Sequence, residues 1–328
     1  MPVILAPRSR PGVPASAAST VILTAMNETD LEAMAAALEA SGKYRVLRQI
    51  NLPRASRLAD ANLRKAVFLD VETTGLRADR DEVIQLAMLP FQFDDKGRVV
   101  GVLDGFNAFS EPSRPIPPLI TRITGITDDD VRGKSIDPGE VAAVLDGAEL
   151  VIAHNAGFDR PFVERLLPDL FEGMPWACSA SEVGWRRAGF EGAKLEYLTM
   201  MAGSFYDKHR ADADCEAGVY LLAQQLNGTD ETALAELLRR SAQIQHRIHA
   251  VGAPFDSKDH LKRRRYRWNP GNGSQPKAWW TEVGEDALEA ELAWLSLNIP
   301  RCKPMVISIG ATDRFSVRVG VSSNADPE

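Results

Sequence analysis

The chain has 328 residues, 45% hydrophobic and 25% charged, with a formal net charge of -7 and a pI near 5.4. These figures predict a soluble globular protein of about two domains, and no stretch reaches the roughly 18 consecutive apolar residues of a membrane span. Cys178, Cys215 and Cys302 are odd in number, far apart and without a CxxC pair, so they suit neither a disulfide framework nor a zinc site and point to a reducing cytoplasm.

Taken in chain order, residues 1–25 are expected to be a disordered tail, because Pro2, Pro7, Pro11 and Pro14 interrupt any helix. Residues 26–60 form an extension. Its helix spans Glu28 to Ala40, with Asn27 as N-cap and Gly42 as stop, and Tyr44 to Ile50 alternates loosely like a strand. The main domain, residues 61–228, opens with KAVFLDVETTGL, Lys65 to Leu76. Within it, the apolar run Ala66 to Leu69 predicts a strand buried on both faces. Two more strands, Glu82 to Phe91 and Val99 to Phe109, are joined by the turn Asp94-Asp95-Lys96-Gly97, which favours an antiparallel meander.

Beyond them, residues 112–137 read as loop and short helix, Glu140 to Leu145 as helix, and Glu149 to Ala153 as a short buried strand. Gly157 to Leu167 is an amphipathic helix with an apolar face of Phe158, Phe162, Val163, Leu166 and Leu167. Helices at Leu195 to Met201 and Ala211 to Leu226 complete an α/β layered domain, a mixed sheet flanked by helices. Residues 229–320 are expected to form a smaller α+β domain. It begins with a helix at Thr229 to Arg239 and continues with a short helix at Asp256 to Arg263. A hairpin pairs Arg265–Trp268 with Lys277–Val283 around a turn-rich insert, and a helix follows at Glu285 to Leu297. A second hairpin is expected to pair Met305–Ile309 with Phe315–Val319, leaving residues 321–328 as a tail.

The chemistry-bearing residues stand at element ends. Asp70 and Glu72 close the first strand and, two residues apart, leave it on the same face. Like charges at the end of a buried strand repel and resist desolvation, a cost that a divalent cation reverses. A lone DxE is more simply a strand-end cap, so further ligands are needed. One candidate is Asp159 in HNAGFD, in the first turn of a helix. Another is Asp214 in HRADAD. Five residues rotate a helix by about 500 degrees, so His209 and Asp214 meet at one site only if His209 precedes the helix.

DVETTGL, HNAGFD and HRADAD, in this order and with helper segments ITGIT (Ile123 to Thr127) and KLEYL (Lys194 to Leu198), resemble the three motifs of the DEDDh exonucleases. That family includes proofreading epsilon subunits, RNase T and oligoribonuclease. The resemblance covers residues 66 to 226 and implies a ribonuclease H-like fold. It implies that Asp70, Glu72, Asp159 and Asp214 hold two divalent cations, Mg2+ or Mn2+, that His209 is the general base, and that Asp212 is not a ligand. Thr73, Thr74 and Leu76 match the positions that approach the 3′-terminal nucleotide, with Leu76 as a wedge against its base. The implied activity is two-metal 3′–5′ exonuclease hydrolysis releasing nucleoside 5′-monophosphates. An oligoribonuclease-like RNA trimmer and a catalytically silent binding protein remain as alternatives.

His154 is expected to be a packed structural histidine, and His246, His249 and His260 solvent or packing residues. From Lys258 to Lys277 seven basic residues face one acid, Asp259. Strand alternation puts Arg265 and Arg267 on one face, as candidate phosphate contacts, and Tyr266 and Trp268 on the other, with Trp279 and Trp280 on the partner strand. The rings serve either as core or as base-stacking surface, core being the favoured reading. The expected partner is nucleic acid with a single-stranded or frayed 3′ end, DNA in preference to RNA. No membrane association is expected, and no polymerase-binding segment is identifiable.

Overall fold

The computed structural model describes residues 27–55, 62–271, 275–299 and 301–318, so the expected tails at 1–25 and 321–328 lie outside the described residues. Two compact units are present, one ending at Arg48 and one starting at Gln49. In the first, α1 (Glu28–Ala40) starts at a capping box in which Asn27 and Asp30 exchange side-chain-to-backbone bonds. Arg48 pairs with both Glu32 and Glu39 on its surface.

The second unit is built on β1 (Arg64–Thr73), the strand that carries Asp70 and Glu72. It pairs antiparallel with β2 (Val83–Phe93), which pairs antiparallel with both β3 (Val99–Val102) and β4 (Phe106–Phe109). The expected single strand at 99–109 is therefore two, interrupted where Leu103 turns its amide back to Pro90 O. Past α2 (Pro138–Leu145), β5 (Leu150–Ala153) pairs parallel with β1, and β6 (Trp176–Cys178) parallel with β5. The result is the expected mixed sheet flanked by helices. β6 escaped notice in the sequence because three residues are too short to show a period.

β1 is buried on both sides, and its alternation sorts the core into two layers. Ala66 and Phe68 face α5 (Ala211–Leu222), packing with Cys215, Val219 and Leu222 behind α4 (Leu195–Met201). Val67, Leu69 and Val71 face α3 (Ala156–Leu166), packing with Phe162 and Val163. Asp70 and Glu72 continue the α5-facing row. α5 lies tightly against the sheet at Gly218, where a Cβ would fall 2.0 Å from Phe68 Cζ. Only a residue without a side chain lets the helix bring Asp214 down onto the strand end.

After α6 (Ala233–Ser241) the chain builds a second, four-stranded antiparallel sheet in the order β8 (Arg267–Asn269), β9 (Ala278–Gly284), β7 (Gln245–Val251), β10 (Lys303–Ile309). α7 (Lys258–Arg263) and α8 (Glu285–Asn298) accompany it, with Ile248, Leu261, Tyr266 and Leu295 in its core. The first expected hairpin is present, with Arg267 opposite Trp280 and Trp268 opposite Trp279. The second is not: Lys303–Ile309 pairs with Gln245–Val251, and the described residues after Gly310 form turns instead of a strand. β7 was missed as a strand because Arg247 and His249 interrupt its apolar pattern. Arg247 is accommodated by Glu282 and by the Trp280 ring, 4.6 Å away.

The segment after Gly310 is held by polar bonds on the far side of α3. Arg160, fully buried, donates Nε to Glu164 at 2.8 Å, Nη1 to Arg314 O at 2.5 Å and Nη2 to Thr312 O at 2.6 Å. Arg314 reaches Glu182 and the carbonyls of Arg240 and Gln243, while Ser316 donates to Glu164. Arg160 directly follows Asp159, so this network fixes the helix turn from which a site residue projects. Arg160→Ala removes one of the two arginines on the buried Glu164 and the donor to the Thr312 and Arg314 carbonyls, and should cost about 1–3 kcal/mol, read as a lowered urea midpoint. Gly218→Ala should cost about 1–3 kcal/mol by overpacking, and Phe68→Leu in the same chain should recover part of that loss in the same measurement.

Candidate active site

β1 ends beneath the first turns of α3 and α5, and the acids of all three elements meet there. Carboxylate oxygens of Asp70, Glu72 and Asp214 lie within 4.8 Å of one another. Asp159, only 3% exposed, approaches from the α3 side, where its Oδ1 accepts the Val71 amide at 3.3 Å. His209 lies in the loop before α5, exposed and with a left-handed backbone (φ 65°), and its amide donates to Asp214 Oδ2 at 3.0 Å. That bond ties the histidine to the acid whatever the rotation of the helix. Asp212 points elsewhere, paired with Arg210.

Among the described residues, no hydrogen bond or ion pair engages the carboxylates of Asp70 and Glu72. Burial raises the Asp70 carboxyl well above the usual range, and the charges of Asp159, Asp214 and Glu72 raise it further. Burial, aided by Asp214, pushes Glu72 up to about 7. Burial also raises Asp159 against the opposing Val71 amide. In Asp214 burial is opposed by the bond from Tyr206 and by the nearby charge of His209. Among the described residues, no lysine or arginine pairs with any of these four acids. An all-oxygen donor set of this kind fits hard divalent cations.

Two supports were invisible in the sequence. Tyr206 donates its hydroxyl to Asp214 Oδ1 at 2.9 Å, and burial followed by the Asp214 charge raises its phenol so that it stays a donor. Gln85, buried on β2, donates to Asn107 and lies 3.5 Å from the first amide of α5, that of Ala211. Neither has a spacing rule to reveal it, because both reach the site through strand pairing and a loop.

The turn after β1 uses its threonines internally: Thr73 Oγ1 donates to Gly75 O at 2.6 Å, and Thr74 Oγ1 accepts the Glu82 amide at 2.9 Å. Leu76 follows this turn, 83% exposed, an apolar side chain that the described residues leave open to solvent. His154 is a structural residue. Its Nε2 contacts Ala193 O at 2.6 Å and its Nδ1 contacts Ser179 Oγ at 2.8 Å. Because the carbonyl only accepts, the proton is assigned to Nε2, and burial drives the ring down to about 4, keeping it neutral. Cys215 is equally structural, its buried thiol directed at Phe68 O and Ala87 O. Arg265 and Arg267 belong to the second sheet and take no part in this cluster; Arg265 precedes β8 in a left-handed conformation, and Arg267 lies over Trp280.

Residues 67–222, which carry all five of these groups, match the exonuclease family RNase_T. They form an exonuclease domain of that family. The chain is 32% identical over 180 residues to the PolC-type DNA polymerase III of Bacillus subtilis, an alignment covering 51% of this chain and 12% of that one. It is 29% identical over 238 residues to the 3′-5′ exonuclease DinG of the same organism, covering 69% of this chain and 25% of that one. The chain therefore spans a quarter or less of the length of these curated relatives. Escherichia coli Exonuclease I, in its complex with a dA16 oligonucleotide, aligns at a TM-score of 0.43 and 16% identity over 72% of each chain. No helix among the described residues is long and apolar enough to cross a membrane.

The raised acids of the exonuclease domain make a prediction about stability. A carboxyl raised by folding stabilises the protein fully below its unfolded value, near 4.5 for Glu72, and that stabilisation is lost as pH climbs through about 7. In EDTA the thermal midpoint should therefore fall between pH 5 and 8, and Glu72→Gln should reduce the fall. Mg2+ or Mn2+ should raise the midpoint more at pH 8 than at pH 5. Differential scanning calorimetry at fixed ionic strength reads both effects.

Proposed function

We propose that this protein is a divalent-cation-dependent 3′–5′ exonuclease that releases nucleoside 5′-monophosphates from a nucleic-acid 3′ end. The convergence of Asp70, Glu72 and Asp214 within 4.8 Å, beside Asp159, carries this reading. The exonuclease-family match and the DinG relative support it, and the relatives' names favour DNA as the polymer.

In this reading Asp70, Glu72 and Asp214, with Asp159, hold two Mg2+ or Mn2+ ions. Such ions, when bound, neutralise the phosphodiester and stabilise both the attacking and the leaving oxygen of an in-line displacement. His209, exposed at the start of α5, takes the proton of the attacking water. Tyr206 holds the Asp214 carboxylate in orientation. Leu76 packs against the terminal base, and the backbone of the Thr73-Thr74 turn lies against the terminal sugar. The P–O3′ bond breaks, the shortened strand leaves with a free 3′ hydroxyl, and water's oxygen stays on the released monophosphate. The sheet at residues 229–320 serves as an accessory domain, with Arg265 and Arg267 as candidate phosphate contacts. The free cysteines Cys178, Cys215 and Cys302 and the bacterial DNA-processing relatives support a cytoplasmic setting.

With 5′-labelled single-stranded DNA, frayed duplex DNA and RNA, we expect stepwise shortening from the 3′ end in Mg2+ or Mn2+ and none in EDTA. Cleavage persisting in EDTA would refute the role of the ions. Asp70→Ala should abolish shortening with an unchanged fold by circular dichroism. His209→Ala should lower kcat by about 10²–10⁴ while leaving cation binding, followed by calorimetric titration, in place.

A further inference from the structure

The second sheet carries a groove on the side away from Trp280. α7, the short turn before it (Phe255–Ser257) and the β8–β9 hairpin enclose about 790 Å³, lined by Phe255, Lys258, Lys262, Trp268 and Trp279 together with the buried Tyr266. Phe255 is 76% exposed and Trp268 47%, which is unusual for rings of this size beside a core that accepts Tyr266 and part of Trp279. Tyr266 is the core member of this group, since its hydroxyl donates to Glu291 at 3.1 Å. Trp268 and Trp279 meet across the hairpin at 5.5 Å with planes tilted by 59°, and both line the groove.

The charges lining the groove differ from the neighbouring arginines of the same sheet, of which Arg247 pairs with Glu282 and Arg264 with Glu291. Among the described residues, no carboxylate pairs with Lys258, Lys262 or Arg267. Lys258 and Lys262, one helical turn apart on α7, rest their ammonium groups over rings instead, Lys258 at 4.4 Å from Phe255 and Lys262 at 5.9 Å from Trp279. In a protein of net charge -7, cations without internal partners beside exposed rings are complementary to an external polyanion that also has flat apolar faces. An acidic peptide supplies the charge without the regularly repeated planar groups.

We propose that this groove binds a single nucleic-acid strand, with bases stacked on Phe255, Trp268 and Trp279 and phosphates on Lys258 and Lys262. Entry of a base displaces the two ammonium groups from the rings and frees them for the phosphates on either side. Stacked bases and backbone phosphates are common to DNA and RNA. The role deepens the exonuclease reading, because it makes the strand that feeds the acids single and unpaired at a second place, but strand binding itself needs no catalysis.

The test is fluorescence anisotropy in EDTA, where no cleavage intervenes, with labelled oligo(dT), oligo(U) and a blunt DNA duplex, using the full chain. The combined change Phe255→Ala and Trp268→Ala should weaken binding of oligo(dT), oligo(U) or both by tenfold or more, and of the duplex by much less. The combined change Lys258→Gln and Lys262→Gln should lower the slope of log affinity against log salt by about one unit or more. These side chains are at the surface, so thermal midpoints should stay with the wild type. A single-strand loss under tenfold, an equal loss on duplex, or an unchanged salt slope overturns the proposal. Loss of binding in these variants by a protein that cleaves nothing would leave the groove standing and sink the exonuclease reading alone.

Discussion

Repulsion among four carboxylates at one strand end is the constraint on which the rest of this structure depends. Asp70 and Glu72 leave β1 toward α5, Asp214 descends from α5, and Asp159 enters from α3 on the opposite layer. Each alone would ionise freely in water. Together and partly buried they are all raised, which means that the fold holds them in place against an electrostatic cost. That cost is sustained by packing that has nothing polar about it: Phe68 against Gly218 on one face of the sheet, Val67 and Leu69 against Phe162 and Val163 on the other. A site of this kind is strained without cations and relieved by them, which couples stability, pH and ion binding through the same residues.

The polar devices around the acids share one feature: they position by bonds to backbone or to a single oxygen and leave the remaining carboxylate lone pairs open. Val71 N holds Asp159, His209 N and Tyr206 hold Asp214, and the buried Arg160 fixes the turn that follows Asp159 through carbonyls of the segment after Gly310. The last of these makes the C-terminal part of the chain a support of the exonuclease domain as well as an appendage to it. The second sheet in turn separates its two faces by chemistry. Arg247 and Arg267 flank Trp280 on one side, while Lys258, Lys262 and three rings line the groove on the other.

Much of this was legible in the residues. The strand Ala66 to Leu69 showed itself by an unbroken apolar run, and Asp70 and Glu72 shared a face because the strand period is two. His209 had to precede its helix because five residues of rotation would have carried it away from Asp214, and it lies two residues before Ala211. The core of the second sheet was half legible. Tyr266 is inside, as aromatics most often are, whereas Trp268 is half exposed because β8 is an edge strand and its ring borders the groove beneath α7.

What the sequence determined by itself was local: elements long enough to show a period, motifs whose spacing is set by one strand or one helix, and the sign of charge along a run. What only the tertiary structure decided was every relation made through space. Lys303–Ile309 chose Gln245–Val251 as its partner over the nearer residues, because those residues are spent in turns tied to Arg160 and Trp176. Tyr206 and Gln85 became supports of the site through loop and sheet geometry. Lys258 and Lys262 ended beside rings, and not opposite acids, because α7 packs over the hairpin. Periodicity is a property of consecutive residues, but pairing, burial and the absence of a counter-charge depend on which distant surfaces the fold brings into contact.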